Sequence, residues 1–346
     1  MMIIFLAVYA LVCVYQAKFF FKENEIADYM SRSSTDSIKG IFILLVFFSH
    51  FNSYVTLSGS LNSVYSYIVS FFGQTMVTLF LFYSGYGVME SIKNKGDSYI
   101  NSFPKKRILT TLINFDIAVF LFLILGLILN KEFTAAQIFW SFTGWDTLGN
   151  SNWYIFVILL LYLFTFASFK IFGKKSKVLA AGSVLLLTFV YVFVFMVFNL
   201  KPYHWFDTAL CYPTGMIFSL YKSRIEDLLF RKRIIYGISL FMLLAVFLCF
   251  VKFYNIPFSG FIKNLVFCML VVVFTARVNL QNKLLIFCGK HLFEIYILQR
   301  IPMIVFAHLG LNIYPEIYFI ISFLFTLILI VPFKFICGKV TAVIAK

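Results

Sequence analysis

The chain has 346 residues, of which 62% are hydrophobic and 12% are charged, and its formal net charge is +15. This composition excludes a soluble globular domain, because such a chain lacks the polar surface that water requires. Apolar segments of about 20 residues cross a bilayer as helices whose backbone groups bond internally. We therefore predict an all-α, polytopic membrane protein, with one domain over residues 1–346 and no separate soluble block.

The hydropathy pattern predicts about eleven membrane spans. The Lys and Arg residues lie mostly in short segments between these spans, which is typical of membrane orientation and not of nucleic-acid binding. With the N-terminus outside, 24 of the 29 Lys and Arg residues lie on the inner side and four outside. We therefore predict an N-out, C-in chain. The predicted spans are about 1–20, 38–56, 66–89, 108–129, 152–169, 178–199, 208–221, 234–251, 262–277, 286–308 and 317–338.

The second predicted span carries the most informative pair of residues, Lys39 and His50. We expect Asp36 or Ser37 to cap its helix. Eleven helical steps bring His50 to within about 20° of the Lys39 azimuth and roughly 16 Å farther along the axis. An imidazole inside a membrane needs a partner or a cavity. It is either satisfied by a neighbouring helix or acts as a general base.

The third and fourth spans and the loop between them add further candidates. Ser84 belongs to a Ser-Gly-Tyr-Gly run, which indicates either close helix packing or a narrow passage with a hydroxyl. The basic loop with Lys105, Lys106 and Arg107 reflects either orientation or binding of phosphates. Asp116 is an intramembrane carboxylate, and its candidate partners are His50 and Arg300.

The later part of the chain holds an outer segment, 130–152, rich in Trp, Asp and Asn. That composition suits a sugar, and it equally suits an interfacial aromatic belt. Pro213 and Gly215 indicate a seventh span that is either broken or lines a cavity. Arg300 lies deep in the tenth span and needs a partner or a water-filled cavity. The six cysteines show no metal-binding spacing, and no metal is expected.

Four ordered motifs together resemble the membrane acyltransferase-3 family, which O-acylates bacterial surface glycans. The first is Lys39 followed by ten residues and His50, and the second is the Phe-rich segment ending in Ser84-Gly85-Tyr86. The third is Trp153 through Tyr162. The fourth runs from Cys288-Gly289-Lys290-His291 to Pro302. Two positions depart from the family pattern: Gln299 stands where many relatives carry histidine, and Ile158 where one branch carries glutamate.

This resemblance implies an integral-membrane O-acetyltransferase of the bacterial inner membrane. It would move acetyl from cytoplasmic acetyl-CoA to a hydroxyl of a surface glycan or lipid-linked saccharide, with residues 36–338 as the acyltransferase core and 1–35 as an extra helix and loop among the membrane lipids. The roles expected from it and from the residues are catalysis by His50, Lys39 and Arg300; donor binding by Lys39, Lys105, Lys106, Arg107 and Ser84; and acceptor binding by Trp153, Asp116 and Asn152.

A different class of protein shares several of these features. A transporter or flippase for a lipid-linked sugar also has many spans, buried polar residues and a broken helix. The spacing from Lys39 to His50 does not separate the two classes. Dependence on acetyl-CoA does separate them, because a transporter needs no acyl donor.

Overall fold

The computed structural model describes residues 2–253 and 258–344, and almost all of its regular structure is helical. Two short strands, β1 (Lys18–Phe19) and β2 (Val278–Asn279), pair antiparallel. The helices are α1 (Met2–Val14), α2 (Arg32–Phe51), α3 (Ser60–Phe72), α4 (Thr75–Phe103), α5 (Thr110–Ile128), α6 (Ala135–Phe142), α7 (Trp153–Phe172), α8 (Lys177–Val197), α9 (Cys211–Ile225), α10 (Arg233–Lys252), α11 (Ser259–Thr275), α12 (Lys283–Lys290), α13 (Leu292–Leu298), α14 (Arg300–His308) and α15 (Pro315–Ile344).

Several of these helices are long and apolar enough to cross a membrane, which confirms the polytopic helical class. Six helical stretches of the described residues meet this condition, and one of them, residues 60–128, joins α3, α4 and α5. The shorter apolar helices α1 and α11 accompany them. The number of spans and the N-out orientation stay predictions.

The second predicted span differs from α2 at both ends. The helix begins at Arg32, and the cap is Ser31, whose hydroxyl accepts the Ser34 amide at 3.3 Å. The prediction of a cap at Asp36 or Ser37 was therefore wrong, because the polar serines before Asp36 extend the helix by more than a turn. At the other end α2 stops at Phe51, so His50 lies in its last turn.

Glycines hold α2 against α12 and α4 against α9. A Cβ on Gly40 would lie 2.0 Å from the Leu285 carbonyl oxygen, and one on Gly289 would lie 1.7 Å from that of Asp36. A Cβ on Gly85 would lie 2.0 Å from the carbonyl oxygen of Tyr212. Small residues thus let the backbones touch. This packing brings the end of α12 beside the first turns of α2.

The helix interruption lies in the tenth predicted span, which is divided into α12, α13 and α14. Non-helical dihedrals at His291 separate the first two, and a turn at Gln299 separates the last two. Of the two alternatives for the seventh span, the break was wrong, since α9 is continuous. Pro213 is the third residue of α9, where the amide that proline lacks has no intrahelical acceptor.

Between α4 and α5 the chain continues as a π-helical turn, Pro104–Leu109. Proline removes an amide donor and displaces the preceding carbonyl, so the hydrogen-bond ladder shifts here. The basic loop of the sequence is this turn. It directs Arg107 differently from its neighbours Lys105 and Lys106.

Candidate active site

A large cavity opens among the basic residues at the predicted cytoplasmic end of the helices. Its volume is about 1040 Å³, and α2, α4, α5, α7 and the α12–α13 break form its walls. Along α4 the lining runs from Glu90 to Phe80, a depth of about 15 Å at the helical rise per residue. On α7 it reaches Tyr154 in the first turn. The cavity therefore extends from the basic mouth far into the helix bundle.

The mouth of the cavity carries more positive than negative charge. Its basic side chains are Arg32, Lys39, Arg107, Lys290 and Lys334, against the three acidic side chains Asp36, Glu90 and Glu294. Lys39 Nζ lies 2.6 Å from a carboxylate oxygen of Asp36. Lys334 Nζ lies 3.9 Å from Glu294. A net positive, partly open cavity attracts anionic ligands.

The predicted donor-binding residues divide into those that line the cavity and those that do not. Lys39, Ser84 and Arg107 line it, whereas Lys105 and Lys106, which are exposed on the same π turn as the equally exposed Arg107, do not. Arg107 donates its Nε hydrogen to the Tyr99 hydroxyl at 3.1 Å, which fixes its guanidinium at the wall.

Ser84 offers its hydroxyl to the cavity in contact with another hydroxyl. Its Oγ lies 3.0 Å from the hydroxyl of Tyr162, and either atom can donate. Ser84 has no histidine or carboxylate partner among the hydrogen bonds of the described chain, so nothing there activates it as a nucleophile. The arrangement suits positioning of a ligand.

His50 lies beyond the deep end of this cavity, behind two tyrosines. The ring of Tyr154, which lines the cavity, is 5.4 Å from the ring of Tyr296. The ring of Tyr296 is 6.3 Å from that of His50. Arg300 is near enough to act on His50 electrostatically, and its guanidinium lies 5.8 Å from the ring centre of Tyr54. The structure thus brings His50 and Arg300 together.

Four polar atoms around His50 are buried without a hydrogen-bond partner in the part of the chain that the structure describes. They are His50 Nδ1, Arg300 Nε, the Tyr296 hydroxyl and Ser151 Oγ. Burial of a polar group without a partner is costly, so such atoms concentrate where a substrate or reaction uses them. We call these four residues the His50 cluster.

A known protein family matches most of the chain. A model of the acyltransferase domain matches residues 32–337, which is most of the chain. The chain belongs to the membrane acyltransferase-3 family. It is an acyltransferase, and its apolar helices place it among multi-pass membrane proteins. No curated protein and no solved structure matches it significantly.

The predicted acceptor residues of this acyltransferase are not gathered at one point. Asp116 on α5 forms no ion pair with Arg300 or His50 within the described ranges, and its Oδ1 is buried without a partner. Asn152 donates its amide hydrogens to the Gly144 and Asp146 carbonyl oxygens, both at 2.9 Å, and so holds the outer segment in place.

Trp153 and the outer aromatic residues of the acyltransferase form a surface near the start of α7. The ring of Trp153 is 5.7 Å from that of His204. Lys201 Nζ lies 4.3 Å from the ring centre of Trp145 and 4.7 Å from that of Trp205. Burial lowers the pKa of His204, which disfavours its charged form.

Sequence reasoning assigned no role to Tyr154, Tyr162 and Tyr296, although Tyr154 and Tyr162 line the cavity and Tyr296 lies between Tyr154 and His50. One signal was present in the sequence. Tyr154, Ile158 and Tyr162 recur every four residues on α7, and all three line the cavity. A stripe with polar hydroxyls at this period indicates one shared face.

Proposed function

We propose that this acyltransferase moves an acetyl group from cytoplasmic acetyl-CoA to a hydroxyl of a bacterial cell-surface glycan, with His50 as general base. One observation carries the proposal: a cavity with a net positive mouth ends at an aromatic pair that contacts His50. Anion binding and proton transfer would thus take place in adjacent parts of the protein, which the Tyr154–Tyr296 pair separates.

The cavity suits a coenzyme A thioester in size and charge. Its volume lies near the upper end of the range for small-molecule sites, roughly 300–1,000 Å³. Lys39 and Arg107 would contact the anionic phosphates at the mouth, and Arg107 can do so with two parallel hydrogen bonds. Lys105 and Lys106, which are exposed beside them, would add to the attraction at longer range.

The chemistry assigned to the His50 cluster follows from its residue types. His50 would accept the proton of the attacking glycan hydroxyl and return it to the thiolate that leaves. Arg300 would stabilise the negative charge that develops on the carbonyl oxygen. Both side chains are held by surrounding helices, so little reorganisation is needed during the reaction.

The acceptor would approach from the opposite side of the membrane. Trp153, with His204 beside it, and the partly exposed Trp145 offer aromatic rings of the kind that sugars bind. Asn152 would contribute by fixing the segment that carries Trp145, and Asp116 would offer a carboxylate for sugar hydroxyls. Lipid-linked and polymeric glycans both fit this description.

A transporter or flippase for a lipid-linked sugar remains the second candidate. The feature that favours it is the division of one span into α12, α13 and α14, since discontinuous helices line transport sites. Such a protein would move its substrate without consuming acetyl-CoA.

The test is acetyl-CoA turnover by the purified protein, with and without cell-surface glycan, beside a His50→Ala variant and the exposed His308→Ala control. General-base loss is expected to reduce turnover by about 10²- to 10⁴-fold in His50→Ala, with His308→Ala close to wild type. Equal activity in all three proteins would remove His50 from the chemistry. No consumption of donor by wild type, even with glycan supplied, would favour transport.

A further inference from the structure

Tyr296 occupies the boundary between the donor cavity and His50. It lies on α13 and is only 2% exposed. Its ring contacts Tyr154 on one side and His50 on the other. Its hydroxyl lies close to the Ser151 side chain and to the backbone of Tyr154, although neither the Tyr296 nor the Ser151 hydroxyl forms a hydrogen bond of normal geometry with a described residue.

The neighbouring backbone is the N-terminus of α7, a helix of 20 residues. Its cap residue, Asn152, leaves the helix end uncapped, because its side-chain amide bonds instead to the Gly144 and Asp146 carbonyl oxygens. The first amides of a helix have no acceptors within it, and the helix dipole makes this end favourable for negative charge. Tyr296 therefore directs a buried hydroxyl, which has no hydrogen-bond partner among the described residues, at a helix end suited to an anion.

This location meets the donor cavity at its deep end. Tyr154 belongs both to the cavity lining and to the first turn of α7. A thioester whose phosphates lie at the basic mouth would bring its carbonyl group toward this point. Arg300 acts electrostatically on Tyr296 as well as on His50, so both lie within its field.

We infer that Tyr296 is a further catalytic residue, which together with Ser151 and the first turn of α7 holds the thioester carbonyl oxygen. This inference rests on the proposed acetyl transfer. The Tyr296 and Ser151 hydroxyls donate to the oxygen as it becomes negative, and the α7 amides add to the same field. Fixed donors at the position of developing charge are a major source of catalysis in acyl transfer.

The acetyl group is transferred in two steps. The acceptor oxygen attacks the carbonyl carbon while His50 takes its proton, and the carbonyl π electrons move onto the oxygen held by Tyr296. The tetrahedral intermediate collapses when those electrons re-form the double bond. The carbon–sulfur bond breaks, the electron pair leaves with sulfur, and His50 returns the proton to give the free thiol of coenzyme A and the glycan ester.

The test compares Tyr296→Phe, Ser151→Ala and Tyr65→Phe in detergent-purified protein. Tyr65 is the matched control, because its hydroxyl is also buried without a partner in the described chain but lies on α3 beside Phe48. Tyr296→Phe should lower kcat for both glycan acetylation and acetyl-CoA hydrolysis by about a hundredfold, with donor Kd unchanged. Ser151→Ala should lower kcat by a smaller factor, and Tyr65→Phe should stay near wild type.

The double variant with Tyr296→Phe and His50→Ala distinguishes a direct role of Tyr296 at the oxyanion from a role that acts only through His50. An oxyanion donor keeps its effect when the base is removed, so Tyr296→Phe should reduce the residual hydrolysis of His50→Ala further. No further reduction would show that Tyr296 only orients His50, and would overturn the inference. Unchanged kcat in Tyr296→Phe would overturn it directly, while wild-type turnover in the same assay reports separately on the proposed function.

Discussion

The cavity mouth and the His50 cluster differ in how their charged groups are partnered. At the mouth, Lys39 pairs with Asp36 and Lys334 lies 3.9 Å from Glu294, although Asp36 Oδ2 and His291 Nδ1 there are buried without a hydrogen-bond partner among the described residues. In the cluster, every residue has a buried polar atom without a partner among the described residues. Partly solvated ion pairs exchange readily for a ligand's charges, because each is worth little. Buried unpartnered groups are costly and are kept where chemistry needs them.

On the proposed function, donor binding belongs to the mouth and catalysis to the cluster, so the two regions should respond differently to mutation. Changes at the mouth should alter donor affinity and leave kcat nearly intact. Changes in the cluster should lower kcat and leave donor affinity intact. The Tyr154–Tyr296 contact marks the boundary between residues that should affect donor affinity and residues that should affect kcat.

The largest effect in this comparison is expected from Arg300→Gln. Removing a charge that stabilises the developing oxyanion should lower kcat by about a hundredfold, with the donor Kd within twofold of wild type. Arg300→Lys keeps the charge but not the guanidinium geometry, so its kcat should lie between those of Arg300→Gln and wild type. Steady-state kinetics and equilibrium binding of coenzyme A measure the two quantities. A weaker donor Kd with normal kcat would place Arg300 with the mouth.

A smaller effect is expected from Arg107→Ala at the mouth. Loss of one charge-assisted contact to a phosphate should weaken coenzyme A binding by about tenfold, and high salt should reduce this difference. Lys106→Ala is the matched control, since Lys106 lies on the same π turn but outside the cavity lining. Titration calorimetry at two salt concentrations measures the coenzyme A affinity of each variant and its dependence on salt. Equal losses in both variants would mean that only overall charge matters.

The sequence predicted the helical class and placed Lys39 and His50 on one face of a helix, because periodicity and hydropathy are local properties. It did not predict the two ends of α2, Arg32 and Phe51. At the start, the serines before Asp36 extend the helix beyond the predicted span. It did not separate Arg107 from Lys105, because a π turn sets their directions. The contact of Tyr296 with His50 joins residues far apart in sequence, so only the tertiary packing reveals it.

Asn152→Ala tests whether the outer segment is held by one side chain. The variant leaves the Gly144 and Asp146 carbonyl oxygens without their amide donors, which should cost about 1–3 kcal/mol of stability. The apparent melting temperature in detergent should fall by several degrees, with coenzyme A affinity unchanged, since the mouth lies on the other side of the molecule. An unchanged melting temperature would show that the segment does not depend on this amide.

Asp207, which is buried in the segment before α9, should make the stability of the protein depend on pH. Burial raises the pKa of Asp207 to about 7, against the lowering effects of Asn264 and Lys263. The folded state therefore keeps a proton that the unfolded state releases above pH about 4. Stability should fall as the pH rises from about 4 to about 7, and then level off.

Asp207→Asn stays neutral at every pH and should remove this slope. The variant should melt at a higher temperature than wild type at pH 8, and the difference should shrink as the pH is lowered toward 4. The exposed Asp97→Asn change provides the control, with little effect at either pH. If wild type and Asp207→Asn kept parallel melting curves across this range, Asp207 would be charged in the folded protein.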